Sequence, residues 1–153
     1  MNKISIRPAS LEDLQTLLEF EQGVIEAEKP LDPFLGSGKL YYYNIPEMIT
    51  NENIYLIVAV CNNELIGSGY VRTENSKHYH KNPKHGYVGF IYVKPTFRGK
   101  RISSIVLDSL KKNAKEKGLK ELRLDVYHNN PSAIKPYERF GFNKSMINMR
   151  MDI

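Results

Sequence analysis

The stretch Val93-Lys94-Pro95-Thr96-Phe97-Arg98-Gly99-Lys100-Arg101-Ile102-Ser103 gathers the residue types in this chain best suited to chemistry. An apolar run, Tyr87 to Val93, enters a proline turn, and a basic, glycine-containing turn follows. Ile102, Ile105, Val106 and Leu110 then set the apolar stripe of a helix. A strand, a positive turn and a helix N-terminus make an anion site, because first-turn N–H groups lack an intrahelical partner and point at a negative ligand. Arg98, Lys100 and Arg101 add charge, and Gly99 permits close backbone approach. By itself the basic turn reads equally well as a solvated loop.

Charge is distributed unevenly around this stretch. Residues 94–120 hold nine Lys/Arg against two acids, whereas residues 9–32 hold seven acids against one lysine. One end of the molecule favours an anion and another a cation, although most of these residues belong on solvated helix faces. Other candidate motifs are weaker. His78, His80 and His85 lie in a polar stretch with no Cys or acid at ligand spacing, and read as surface histidines. Gly36-Ser37-Gly38-Lys39 lacks the upstream glycine and the hydroxyl residue of a phosphate loop. The lysine-rich helix has no interleaved aromatics, which argues against a nucleic-acid binder.

The elements that must position these groups follow from periodicity. Residues 3–7 alternate as a short strand, and Ser10 with Asp13 opens a helix carrying Leu11, Leu14, Leu17, Leu18, Val24 and Ile25. Pro30, Pro33, Gly36 and Gly38 make residues 29–39 a loop, with Tyr41, Tyr42 and Tyr43 after it. Pro46 suits the first turn of a short helix over 45–50. Residues 54–61 and 64–73 form a hairpin about Asn62-Asn63, residues 74–85 a mobile polar loop, and residues 86–93 the strand that feeds the basic turn. Gly118 stops the next helix. Leu122, Leu124 and Val126 alternate as a strand. Asn130-Pro131 starts a helix that ends at Gly141, and Ile147, Met149 and Met151 alternate as a final strand.

This order is a mixed α/β layout around one sheet, and the 153 residues read as one domain. No apolar run approaches membrane-spanning length. The start of the chain lacks the apolar region of a secretory signal. The lone Cys61 reads as a buried strand residue, and a single cysteine points to a reducing, cytoplasmic setting.

Two of these stretches carry a family resemblance. Val93-x-Pro95-x-x-Arg98-Gly99-Lys100-Arg101-Ile102-Ser103 resembles the acetyl-CoA signature of the GNAT superfamily of N-acetyltransferases. Asn130-Pro131-Ser132-Ala133-Ile134-Lys135-Pro136-Tyr137-Glu138-Arg139-Phe140-Gly141-Phe142 is similar to that family's second signature. The two fall in order on the matching elements, and the resemblance spans nearly the whole chain. It implies an acyl-CoA N-acyltransferase fold over residues 1–153, a central, mostly antiparallel sheet flanked by helices. It also implies acetyl-CoA as co-substrate, no metal, and transfer of acetyl to a primary amine by direct attack. The amides of Arg98, Gly99, Lys100, Arg101, Ile102 and Ser103 would hold the pyrophosphate, Ile91 and Val93 would offer backbone hydrogen bonds to the pantetheine, and Asn130 would contact it. Tyr137 would be the general acid for the departing thiolate. Arg101 and Ser103 depart from the family's glycine and small residue, and Pro136 would remove a hydrogen bond inside the helix and kink it.

The general base is not evident. Relatives often carry a carboxylate on the strand before the turn, and Tyr87 to Tyr92 has none. Glu26, Glu28 and Asp125 are the acids available, with His78, His80 and His85 behind them. The acidic 19–32 region and the three tyrosines would face the acceptor, a small cation or a peptide amine. A non-catalytic acyl-CoA-binding module is the alternative reading, and a homodimer is compatible with exposed strands near either end.

Overall fold

The computed structural model describes residues 3–153. Its framework is one five-stranded sheet in the order β1 (Ile4–Pro8), β2 (Ile54–Cys61), β3 (Glu64–Asn75), β4 (Lys84–Val93) and β5 (Leu122–Arg123). Each neighbouring pair among the first four strands is antiparallel, and β5 runs parallel to β4. Asn62 and Asn63 take φ of 51° and 63°, the paired left-handed conformation of a tight hairpin turn, which asparagine tolerates.

Strand β2 is apolar along its length because both its faces are covered. Leu56 and Val58 meet α1 (Leu14–Glu28) and α2 (Ile45–Thr50) through Leu17, Phe20, Ile45 and Met48. Ile57, Ala59 and Cys61 meet α3 (Ile102–Glu116) through Ile102, Val106, Leu107 and Leu110. Burying each such side chain is worth about 1.5–3 kcal/mol. Gly69 lets α3 sit this close: a Cβ there would lie 2.6 Å from Val106 and 2.8 Å from Ile91.

Helix α1 is tied to β1 by Arg7, which forks onto Asp13 at 2.8 and 2.9 Å, while Asp13 also accepts the Ser10 N–H at 2.8 Å. The last helix, α4 (Pro131–Phe140), is uninterrupted through Pro136 and ends at Gly141, whose φ is 126°. Pro136 lies inside this helix without ending it.

Three expectations need correction. The alternation Leu122, Leu124, Val126 yields only two residues of strand, because β5 pairs with β4 at Gly86↔Leu122 and Tyr87↔Arg123 and then diverges. Residues 84–85 and 74–75 extend the β3–β4 ladder, so only the middle of the expected loop is irregular. His85 there is buried, not a surface group, and Ser76 Oγ lies 2.8 Å from its Nδ1. The final strand is absent: residues 142–153 carry no regular structure, and Met146, Ile147, Met149 and Met151 are each at least 80% exposed. A strand needs a neighbour's backbone groups, and alternation alone supplies none.

Candidate active site

The divergence of β4 and β5 leaves the outer edge of β4 open beside the basic turn. Beyond Tyr87, β4 is paired only with β3, through Val71↔Val88, Tyr70↔Gly89, Ser68↔Tyr92 and Gly67↔Val93. The ladder slips between Ser68 and Tyr70, and Phe90 sits in the left-handed region at φ 54°. This is a β-bulge. Val88 faces α3, Phe90 faces α1, and after the bulge Ile91 and Val93 face α3 again. A non-glycine residue at such an angle costs on the order of 1–3 kcal/mol. Here burial of the Phe90 ring and a 2.9 Å hydrogen bond from Ser68 Oγ to the Phe90 carbonyl hold it. Lys94 N–H donates to Ile66 at 2.8 Å, so alternation turns the Val93 backbone groups away from β3. The Val93 carbonyl accepts a 3.1 Å bond from Arg98 Nε, consistent with that direction.

Below this open edge lies the basic turn. Gly99 has φ 77° with nothing within 4 Å of where a Cβ would stand, so the space beside it is open. Arg101 is the N-cap of α3 at φ 61°, ψ 22°, a left-handed conformation otherwise suited to glycine. No side chain caps the helix. Ile102 is buried, and Ser103 lies beside it in the first turn, whose amides lack intrahelical partners. Arg98 is folded back onto the strand, and the Lys100 ammonium lies 5.2 Å from the centre of the Phe97 ring.

Tyr137, on α4, joins Ile91, Val93 and Leu124 in packing against the core on the α3 side. It meets Phe142 edge to face at 6.0 Å. Burial, with a smaller contribution from the Glu28 charge, pushes its phenol up to about 12. Asn130 stands at the N-cap of α4, but its Oδ1 accepts from Ser132 Oγ at 2.9 Å and caps no backbone N–H. Its carbonyl accepts the Ile134 N–H at 3.0 Å.

The opposite face carries a wall of aromatics. Tyr43 stacks on Phe90 at 4.6 Å, and Phe20 lies 4.6 Å from Tyr92. The Arg72 guanidinium lies over Tyr70 and Tyr87 while pairing with Glu74 at 2.7 Å. Tyr87 Oη donates to Asp125 at 3.1 Å across the β4–β5 opening. Glu74, His85, Tyr87, Arg123 and Asp125 border an open cavity of about 510 Å³. Fully buried Glu21 fastens the tyrosine segment: its Oε2 accepts the N–H groups of Tyr42 and Tyr43 at 2.9 and 2.8 Å.

Most of the acids expected at the acceptor are already engaged. Glu21 is held by the Tyr42 and Tyr43 amides, and Glu26 by Lys29. Asp32 is buried and accepts from Tyr127 Oη at 2.6 Å, from the Phe34 N–H and from Arg150 at 2.9 Å, bonds that lower its pKa. Glu28 forms no ion pair among the described residues. Burial holds its carboxyl above the usual range, partly offset by Tyr42, with Asp32 adding to the rise. The Glu28 charge acts in turn on Tyr42, Tyr43, Tyr127 and Tyr137. Glu28 is therefore the acid whose charge reaches Tyr42 and Tyr43 on one side and Tyr137 on the other. The Glu21 clasp, the Ser68–Phe90 bulge and the Tyr87–Asp125 pair were not foreseen, since each joins residues of unremarkable type from different elements.

The geometry is that of a known class. The family model described as Acetyltransferase (GNAT) family matches residues 13–142, and the chain belongs to that family. The chain is 28% identical over 136 residues to N-alpha-acetyltransferase 30 of Dictyostelium discoideum, a match covering 89% of this chain and 64% of that protein's length. Among solved structures, the BH1408 protein of Bacillus halodurans, as a mutant, superposes with a TM-score of 0.86 at 17% identity, covering 97% of this chain and 99% of the other. A predicted acetyltransferase with acetyl-CoA from Clostridium acetobutylicum superposes with a TM-score of 0.72 at 19% identity, covering 98% and 96%.

Proposed function

We propose that this protein transfers the acetyl group of acetyl-CoA to a primary amine of a small cationic molecule or a peptide. One observation carries the reading: β4 leaves its outer half unpaired beside an uncapped helix N-terminus, and Tyr137 packs with Ile91 and Val93 in the same cluster. In this reading the pantetheine lies along Ile91 and Val93 as an added strand. The amides of residues 98–103 take the pyrophosphate, with Arg101 adding charge. Asn130 flanks the pantetheine.

The neutral amine attacks the thioester carbonyl carbon, the new C–N bond forms, and the C–S bond breaks. Tyr137 donates a hydrogen bond to the departing sulfur, and the ammonium proton passes through water to Glu28 or to Asp125 by way of Tyr87. The name of the Dictyostelium relative favours a peptide α-amine as acceptor. The half-buried acid Glu28 among tyrosines is compatible with a small cation as well.

The test is thiol release from acetyl-CoA with a panel of peptide and small-molecule amines, alongside direct measurement of CoA binding. Gly99→Glu fills and charges the open space by the turn, so CoA binding is expected to be lost with the fold retained. Retained binding would move the donor elsewhere. Clear CoA binding with no turnover on any amine would favour the non-catalytic module.

A further inference from the structure

The open cavity at the far end of the β3–β4 hairpin holds a second set of reactive groups. Glu74 and His85 pair across the two strands, and Ser76 lies two residues beyond Glu74, so the three share one face. Ser76 N–H donates to the Pro83 carbonyl at 2.9 Å, which fixes its backbone just past the last ladder pair, Asn75↔Lys84. Ser76 Oγ lies 2.8 Å from His85 Nδ1, and Glu74 Oε1 lies 3.5 Å from His85 Nε2. Arg72 takes the other Glu74 oxygen through Nε at 2.9 Å and Nη2 at 2.7 Å. The same guanidinium is seated over the Tyr70 and Tyr87 rings.

Each of these groups fixes the next. A carboxylate facing Nε2 favours the tautomer with its proton there, and Nδ1 then keeps a lone pair for the Ser76 hydroxyl. His85 is only 5% exposed, which holds its ring in one orientation. A hydroxyl bonded to an imidazole that a third group orients is the arrangement of an activated nucleophile. A purely structural hydrogen bond has no use for open space in front of it, yet Glu74, Ser76 and His85 all line the cavity of about 510 Å³. Asn75 and Lys77 line it beside them, and Lys77 forms no ion pair among the described residues. These two supply N–H donors for the oxygen of a carbonyl attacked there. No aliphatic side chain lines the cavity, so the acyl group that fits is short.

We propose that Ser76 is the nucleophile of a second site, which hydrolyses short-chain acyl esters. Ser76 Oγ attacks the ester carbonyl carbon, and its proton passes to His85 Nδ1. The C–O bond to the alcohol breaks, the imidazolium returns the proton to the departing oxygen, and the acyl group stays on Ser76. Water then attacks this acyl-serine and gives a proton to Nδ1. The free acid leaves as Ser76 takes that proton back. Glu74 stabilises the imidazolium at both stages. The cycle consumes only ester and water, so it does not depend on acetyl-CoA or on an amine.

The intact protein, treated with para-nitrophenyl acetate and separately with a fluorophosphonate, tests this. Release of para-nitrophenol is expected, slower with the octanoate ester, and mass spectrometry is expected to find the phosphonyl group on Ser76. Ser76→Ala is expected to lower ester turnover roughly a hundredfold or more while keeping its circular dichroism and its CoA binding. His85→Ala is expected to lose turnover as well and to regain part of it with added imidazole, a rescue that a merely structural histidine would not show. A wild-type chain that releases no para-nitrophenol, an adduct found only on other residues, or turnover unchanged in Ser76→Ala would each overturn the proposal.

Discussion

Tyr137 holds its proton up to about pH 12, whereas an ordinary thiol titrates near about 8.5. In the proposed reaction, full proton transfer from that phenol to the departing thiolate would therefore be uphill, and the hydrogen bond itself would carry the stabilisation. Tyr137→Phe is expected to lower kcat roughly ten- to ten-thousandfold with a smaller change in CoA affinity. Stopped-flow thiol release together with equilibrium binding separates the two effects, and unchanged turnover removes Tyr137 from the mechanism. Glu28 has the opposite character. Its folded pKa is raised, so the fold favours the neutral acid. That contribution is present at low pH and is lost as pH rises from the unfolded value through the folded one. Glu28→Gln is thus expected to raise Tm at pH 7, with the gain fading towards pH 4, and to slow turnover with amines. A variant less stable at pH 7 would contradict this reading of Glu28.

At the scale of elements, the bulge at Phe90 and the basic turn at Arg101 hold strained backbone on either side of the open β4 edge. Arg101 holds a left-handed angle at a cost of about 1–2 kcal/mol over a favoured conformation. Arg101→Gly is expected to raise Tm by a few degrees and to weaken CoA binding through the lost charge. Calorimetry beside a CoA titration checks both, and a fall in Tm would show that Arg101 makes a stabilising contact. Much of this framework was legible in the sequence. The continuous apolar run before Asn62-Asn63 placed β2 at its observed ends, Pro46 placed α2, and Pro131 and Gly141 bracketed α4 correctly. What was illegible depends on partners. Nothing about a phenylalanine signals that residue 90 takes φ 54°, because the Ser68 hydroxyl that supports it comes from another strand. His85 is buried because Ser76 folds back across the hairpin. The alternation after residue 146 says amphipathic strand but names no neighbour.

For the molecule as a whole, the segregation of charge visible in the sequence survives folding unequally. On the acidic side Asp13, Glu21, Glu26 and Asp32 are already committed to internal partners. On the basic side Arg101 and Lys100 remain exposed at the turn. Exposed charges are screened by salt far more than buried ones. The Kd for CoA is therefore expected to rise between low and high salt by a larger factor than the KM of a cationic acceptor, and paired titrations at several salt concentrations measure both. A second whole-molecule effect concerns acid. Asp13 is held below its usual range chiefly by Arg7. The stability it contributes is present above the unfolded pKa of about 4 and is lost as pH falls below it. Asp13→Asn is expected to flatten the acid limb of the Tm profile below that pH.

Strand β5 touches β4 through only two residue pairs, so above that seam the sheet has an open slit between two parallel strands. Whatever lies along Ile91 and Val93 serves as a structural member as well as a reactant. In the proposed reading the pantetheine, not the acetyl group, would seal such a slit, and the spent carrier still has it. Free CoA should then stiffen the protein as fully as acetyl-CoA does, by about 2.7 kcal/mol at a hundredfold excess over its Kd. It should also compete with acetyl-CoA for the slit. In the proposed reaction the by-product is therefore expected to hold turnover back, with the rate following the ratio of acetylated to free carrier more closely than the concentration of either; product-inhibition kinetics measure this.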